Sequence, residues 1–177
     1  MMLCVRAALA ATALLLSACS TSQNPIEAQI GPKEPIDARL VGSWTLARDE
    51  TVVIQIVRVS DELKLTLTEP GKRESEEYRV RVARFGRMSY ASATRIGRPE
   101  AWTLYRFRIL DEDSVVVNTV DDGFLFRAVR GGFIRGIPER GPPETAILTA
   151  PPRELREFVR GNPAMFAGEQ FELRREP

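Results

Sequence analysis

Glu62-Leu63-Lys64-Leu65-Thr66-Leu67-Thr68 alternates apolar and polar residues without a break, and this alternation decides the fold. A period of two places Leu63, Leu65 and Leu67 on one face of an extended strand and the lysine and threonines on the other. Pro70-Gly71 then supplies a turn, and the pattern resumes with Tyr78, Val80 and Val82 set against Arg79 and Arg81. A third run opposes Tyr105, Phe107 and Ile109 to Arg106 and Arg108. One face belongs to a core and the other to water.

Working outward, further strands are expected at Leu40–Arg48, Thr51–Val59, Arg87–Arg95, Ser114–Val120 and Phe124–Arg130. The connections hold turn-forming residues: Arg48-Asp49-Glu50, Ser60-Asp61-Glu62, Gly97-Arg98-Pro99, Asp111-Glu112-Asp113 and Asp121-Asp122-Gly123. Strands in succession on hairpin-length turns predict a mainly β domain. Its expected form is an antiparallel up-and-down meander, closed as a small barrel or folded as a two-layer sandwich. Gly131 to Glu144 interrupts the rhythm with a glycine- and proline-rich loop. Ile147 and Leu148 suit a short strand. Pro152 to Arg160 reads as one C-terminal helix, with Leu155, Phe158 and Val159 on one stripe and Gly161-Asn162-Pro163 as its stop. Gln170 to Arg175 is the expected closing strand.

The N-terminus has a different character. Arg6 precedes an uncharged apolar stretch from Ala7 to Leu16, which ends in small residues and is too short to span a bilayer. Residues 1–18 are therefore expected to be a signal peptide. Leu16-Ser17-Ala18-Cys19 resembles the lipobox of bacterial lipoproteins at all four positions. The resemblance implies that Cys19 receives a diacylglyceryl group, that cleavage falls before it, and that acyl chains hold the protein to a membrane. By the family's sorting rule Ser20 implies the outer membrane, facing the periplasm. Cys4 lies in the removed segment, so the mature chain has no second thiol for a disulfide. From Ser20 to Arg39 the chain is polar and broken by Pro25, Gly31, Pro32 and Pro35, and a flexible tether is expected across residues 19–39. The folded domain is expected over residues 40–177.

Composition limits the functions. Residues are 44% hydrophobic and 28% charged, as in ordinary globular proteins, and the formal charge is +1. No global field favours nucleic acid. Lys33, Lys64 and Lys72 are the only lysines, a bias that reflects composition more simply than phosphate recognition. The chain has no histidine, which removes the commonest general base and metal ligand. It also has no Gly-x-Ser-x-Gly elbow and no cysteine free of the anchor. Asp111, Asp113, Asp121 and Asp122 read as turn formers rather than as an acid–base pair or a calcium loop. A non-catalytic protein without a cofactor or metal is expected.

Gly42-Ser43-Trp44 at the first strand, followed by strands, a late helix and a last strand, is similar to the lipocalin plan. That resemblance implies that Trp44 closes the barrel floor and that a late arginine stacks on it; Arg127, Arg130 and Arg174 are the candidates. The family's Thr-Asp-Tyr turn has only a distant echo in Thr119-Val120-Asp121-Asp122. Trp44, Trp102, Tyr105, Phe107, Phe124 and Phe126 are the candidate ligand-contacting residues, with Trp102 expected at the barrel rim. An eight-stranded barrel can be filled by side chains or hold one small ligand. The leading expectation is a structural or protein-interaction accessory in the cell envelope, docking a partner through the Gly131–Glu144 loop. The alternative is carriage of a small apolar or amphipathic ligand. A cavity lined by Tyr105, Phe107, Phe124 and Phe126 would favour the carrier; an exposed apolar patch near the loop would favour docking.

Overall fold

The computed structural model of the protein describes residues 20–26, 35–85, 87–97 and 101–176. Cys19 and the signal segment lie outside them, as do Arg98 and Pro99 of one expected turn. Strands β2 (Gly42–Leu46), β3 (Asp49–Val59), β4 (Glu62–Thr68), β5 (Glu76–Phe85), β6 (Met88–Arg95), β7 (Thr103–Ile109) and β8 (Ser114–Thr119) form an antiparallel meander. The final strand, β11 (Gln170–Arg175), lies between β8 and β2 and closes an eight-stranded lipocalin-like barrel. Leu173 stands opposite Leu46 on one side and Val115 on the other.

The strand expected at Phe124–Arg130 is instead helix α1 (Asp122–Arg130). Asp121 is its N-cap, the carboxylate accepting from the Phe124 amide at 2.8 Å, and Arg127 and Arg130 lie in its last turn. Leu125, Phe126, Ala128 and Val129 are buried at helical spacings, a pattern that strict alternation of Phe124 and Phe126 obscures. The barrel's eighth stave therefore comes from the end of the chain. The expected helix forms as α2 (Pro152–Gly161), with proline in its first turn and Leu155 and Val159 fully buried. Within the Gly131–Glu144 stretch, β9 (Gly136–Glu139) pairs with β10 (Thr145–Leu148), and β10 pairs in parallel with β1 (Thr21–Ser22).

This small sheet and the helices create a second core on the outside of the barrel. Ala83, Tyr90 and Leu104 point outward from β5, β6 and β7, and they are buried with Leu125, Val129, Ala146, Leu148, Leu155 and Phe166. Tyr90 lies between Phe85 and Phe166, with ring centroids at 5.1 and 5.3 Å. From Tyr90 to Thr94 the outward face of β6 is thus dry even where it is polar. Ser92 is fully buried, and its hydroxyl accepts from the Ile26 amide at 2.8 Å.

Ile26 belongs to the run expected to be a tether, and the structure corrects that expectation for Ser20–Ile26. The Ser22 amide donates to Trp102 O and the Trp102 amide to Ser22 O, both at 2.8 Å, while the Gln23 amide donates to Leu148 O at 2.9 Å. Asn24 Nδ2 reaches Ala150 O at 3.0 Å, and Ile26 is 1% exposed. This hydrogen-bonded segment is part of the domain.

Candidate functional site

The barrel interior is built by the alternation that made the strands. Leu63, Leu65 and Leu67 of β4 face inward opposite Ile54 and Ile56 of β3, and Val115 and Val117 of β8 complete the far wall. The floor is Trp44, whose side chain is fully buried and whose Nε1 donates to Leu40 O at 3.1 Å. A single 3-10 turn at Ala38–Leu40, capped by the Asp37 side chain, sets Leu40 beneath the barrel. The arginine over Trp44 is Arg175, its guanidinium carbon 4.4 Å from the ring centroid; none of Arg127, Arg130 or Arg174 fills that place.

Arg175 also fastens the floor to its surroundings. Its Nη2 donates to Arg39 O at 2.8 Å, its Nη1 to Val41 O at 3.2 Å and its Nε to Glu112 O at 2.9 Å. Gly42 makes this approach possible. Its φ is +145°, and a Cβ there would fall 2.3 Å from Arg175 Nη1. The Gly-x-Trp pattern is thus used on both counts: glycine admits the guanidinium and tryptophan receives it.

Above the floor the barrel is hollow. An apolar cavity of about 120 Å³ lies among the inward-facing residues, Tyr105 and Phe107 among them. Apart from Tyr78 and Tyr105, every residue that lines it is Leu, Ile, Val, Ala or Phe. Space exists because β6 presents only Ala91 and Ala93 to the interior, where the neighbouring strands present Val80, Val82, Tyr105 and Phe107. Tyr105 keeps part of its surface accessible although protein surrounds it, because that surface faces the cavity.

Of the six residues singled out in the sequence, Tyr105 and Phe107 line the cavity and Trp44 closes the floor. The other three lie outside the barrel. Phe126 is buried on α1, and Phe124, on the same helix, faces Phe158 of α2 at 6.4 Å. Trp102 is 4% exposed rather than at an open rim; it packs in the outer core under the guanidinium groups of Arg79 and Arg81, at 5.2 and 5.4 Å. Sequence reasoning missed Ala91 and Ala93. The available signal was their alternation with Tyr90, Ser92 and Thr94.

Tyr78 connects the cavity to a charged cluster. Its hydroxyl donates to Glu76 Oε2 at 2.5 Å, and the same glutamate meets Arg95 at 3.6 Å and Lys72 at 3.7 Å. The tyrosine hydrogen bond holds the Glu76 carboxyl below its usual range in spite of burial. Burial pushes the Tyr105 phenol far up, a hydrogen bond with Thr103 opposing it in part. Burial raises Tyr78 too, reinforced by Glu76, and also Tyr90, where Arg106 works against it.

These three are all the tyrosines of the chain. A phenol raised in the folded state contributes stability below the unfolded value of about 10, and that contribution is lost as pH rises beyond it. Ultraviolet titration is therefore expected to show no phenolate near pH 10 while circular dichroism reports an intact barrel. Phenolate should then appear together with alkaline unfolding. Tyr78 or Tyr105 ionising freely near its ordinary value in the folded protein would refute the enclosed interior.

Among the described residues no cluster of His, Cys, Asp or Glu is placed to hold a metal, and no helix is long and apolar enough to cross a membrane. Comparison with protein-family models, curated proteins and solved structures finds no match to this chain.

Proposed function

We propose that this protein is a lipid-anchored lipoprotein of the cell envelope, held at Cys19 in the outer membrane and facing the periplasm, and that its barrel carries a small apolar molecule or the apolar end of an amphiphile. The observation that carries the binding role is the hollow, apolar interior of a closed barrel. Its volume of about 120 Å³ approaches that of an engineered apolar cavity of about 150 Å³ that stays dry and admits benzene. Water gains little in such a space, whereas each methylene transferred into it contributes about 0.8 kcal/mol. The fitting ligand is therefore a compact hydrocarbon group or one segment of an acyl chain. The carboxyl-terminal strand supports the arrangement by closing the barrel and supplying Arg175 to its floor. The anchor rests on the Leu16-Ser17-Ala18-Cys19 motif, and the non-catalytic reading on a chain without histidine.

The test is native mass spectrometry of residues 20–177 with extraction of bound lipid, followed by titration with p-xylene and with a medium-chain fatty acid. A ligand at ten times its dissociation constant stabilises by about 1.4 kcal/mol, an increase in Tm of roughly 3–6 °C for a domain of this size. A clean unliganded mass together with an unmoved Tm for both probes would end the carrier reading.

A further inference from the structure

We infer that the face formed by β1, β10 and β9 lies directly against the lipid surface, so that the anchored domain has a fixed orientation instead of swinging on a tether. This rests on the reading of Cys19 as the acylated residue. Ser20, the next residue, is 2% exposed. Its amide donates to Asp122 Oδ1 at 3.0 Å, and its hydroxyl accepts from the Ala146 amide at 3.0 Å. Thr21 and Ser22 then run beside Ile147 and Leu148 as a strand. One residue spans at most about 3.6 Å. An acyl-bearing Cys19 therefore leaves Ser20 no farther from the glyceryl linkage than a single residue and its side chain.

The surface at this point suits lipid. Thr21, Ile147 and Ile137 stand in one register row across β1, β10 and β9, so their side chains share a face. Ala146 and Leu148 point the other way, into the outer core, which leaves the row facing outward. Ile137 is 52% exposed and Phe133, just before β9, is 78% exposed. Arg130 and Arg140, both exposed, flank these two in the chain. A protein partner could use the same apolar residues, but the chain leading to the anchor emerges on this sheet, and that continuity favours the bilayer.

The test uses the full-length protein, acylated in a bacterial host and reconstituted in vesicles of phosphatidylethanolamine and phosphatidylglycerol. Ile137→Cys carries an environment-sensitive fluorophore, and quenching by brominated lipid is read. Gln55→Cys is the comparison: Gln55 is exposed on β3, which lies across the eight-stranded ring from β7, the barrel strand joined to β1 through Trp102. Loss of fluorescence is expected at residue 137 and not at residue 55. Equal quenching at both sites, or none at 137, overturns the orientation. Shielding of residue 137 in whole cells but not in vesicles would also overturn it, by placing a protein on this face. Labelled palmitate on the wild-type chain but not on Cys19→Ser separates the outcomes. Absence of label overturns the anchor and the orientation together, whereas labelled protein without quenching at 137 overturns the orientation alone.

Discussion

Alanine in place of Trp44 is expected to destabilise the domain by about 3–5 kcal/mol, the range for removing a buried tryptophan or phenylalanine from a core. Three losses fall together at this position. The indole is fully buried, so its removal opens a void at the floor. Leu40 O loses the Nε1 donor that holds the 3-10 turn in place. Arg175 loses the ring it covers at 4.4 Å, although its bonds to Arg39, Val41 and Glu112 carbonyls remain. Denaturant unfolding should show a lower midpoint with an unchanged slope. A loss under about 1 kcal/mol would mean that the floor is not what holds the barrel shut.

Phenylalanine at Ala93 is expected to weaken binding of an apolar probe about 100-fold, equivalent to about 2.7 kcal/mol, while leaving the barrel as stable as before or more so. The opposite signs follow from one cause. Residue 93 faces the cavity, and an added ring occupies the space that a ligand would take. In a filled core such an insertion costs about 1–3 kcal/mol; here it removes a void of about 120 Å³, and voids destabilise by about 24 cal/mol per Å³. Ala91→Phe should act in the same direction from two residues away on the same face of β6. Full binding by both variants, with p-xylene as the probe and Tm as the readout, would place the ligand elsewhere.

The inward staves were legible because alternation is a strong signal when one face is apolar and the other charged. Lys64, Arg79, Arg81, Arg106 and Arg108 mark the outward faces of their strands. What was not legible is that part of the outside is covered. Tyr90, Ser92 and Thr94 look like a wet face, yet each is buried. Tyr90 meets Phe166 and Ser92 meets Ile26, residues far away in sequence. The helix at Asp122–Arg130 was misread for a local reason: aspartate before an apolar run is equally good as a turn former and as an N-cap. Phe124 and Phe126 imitated a strand, and Leu125 with Val129 carried the helical spacing. Of the aromatic residues singled out in the sequence, only Tyr105 and Phe107 line the cavity. The cavity arises at Ala91 and Ala93, where side-chain volume is lacking, and a missing volume leaves no motif.

Closing the barrel with β11 makes assembly of this domain depend on the stave that is translated after all the others. Until Gln170–Arg175 is available, β2 and β8 are unpaired edges of a seven-stranded sheet, because β11 is the strand that pairs with both. Such edges recruit strands from other chains. The pairing that removes them joins residue 173 to residue 46, so closure is a long-range step of the slow kind. A nascent chain therefore stays vulnerable to aggregation until β11 has been made, and a truncation that removes Gln170–Arg175 leaves an open, adhesive sheet in place of a barrel.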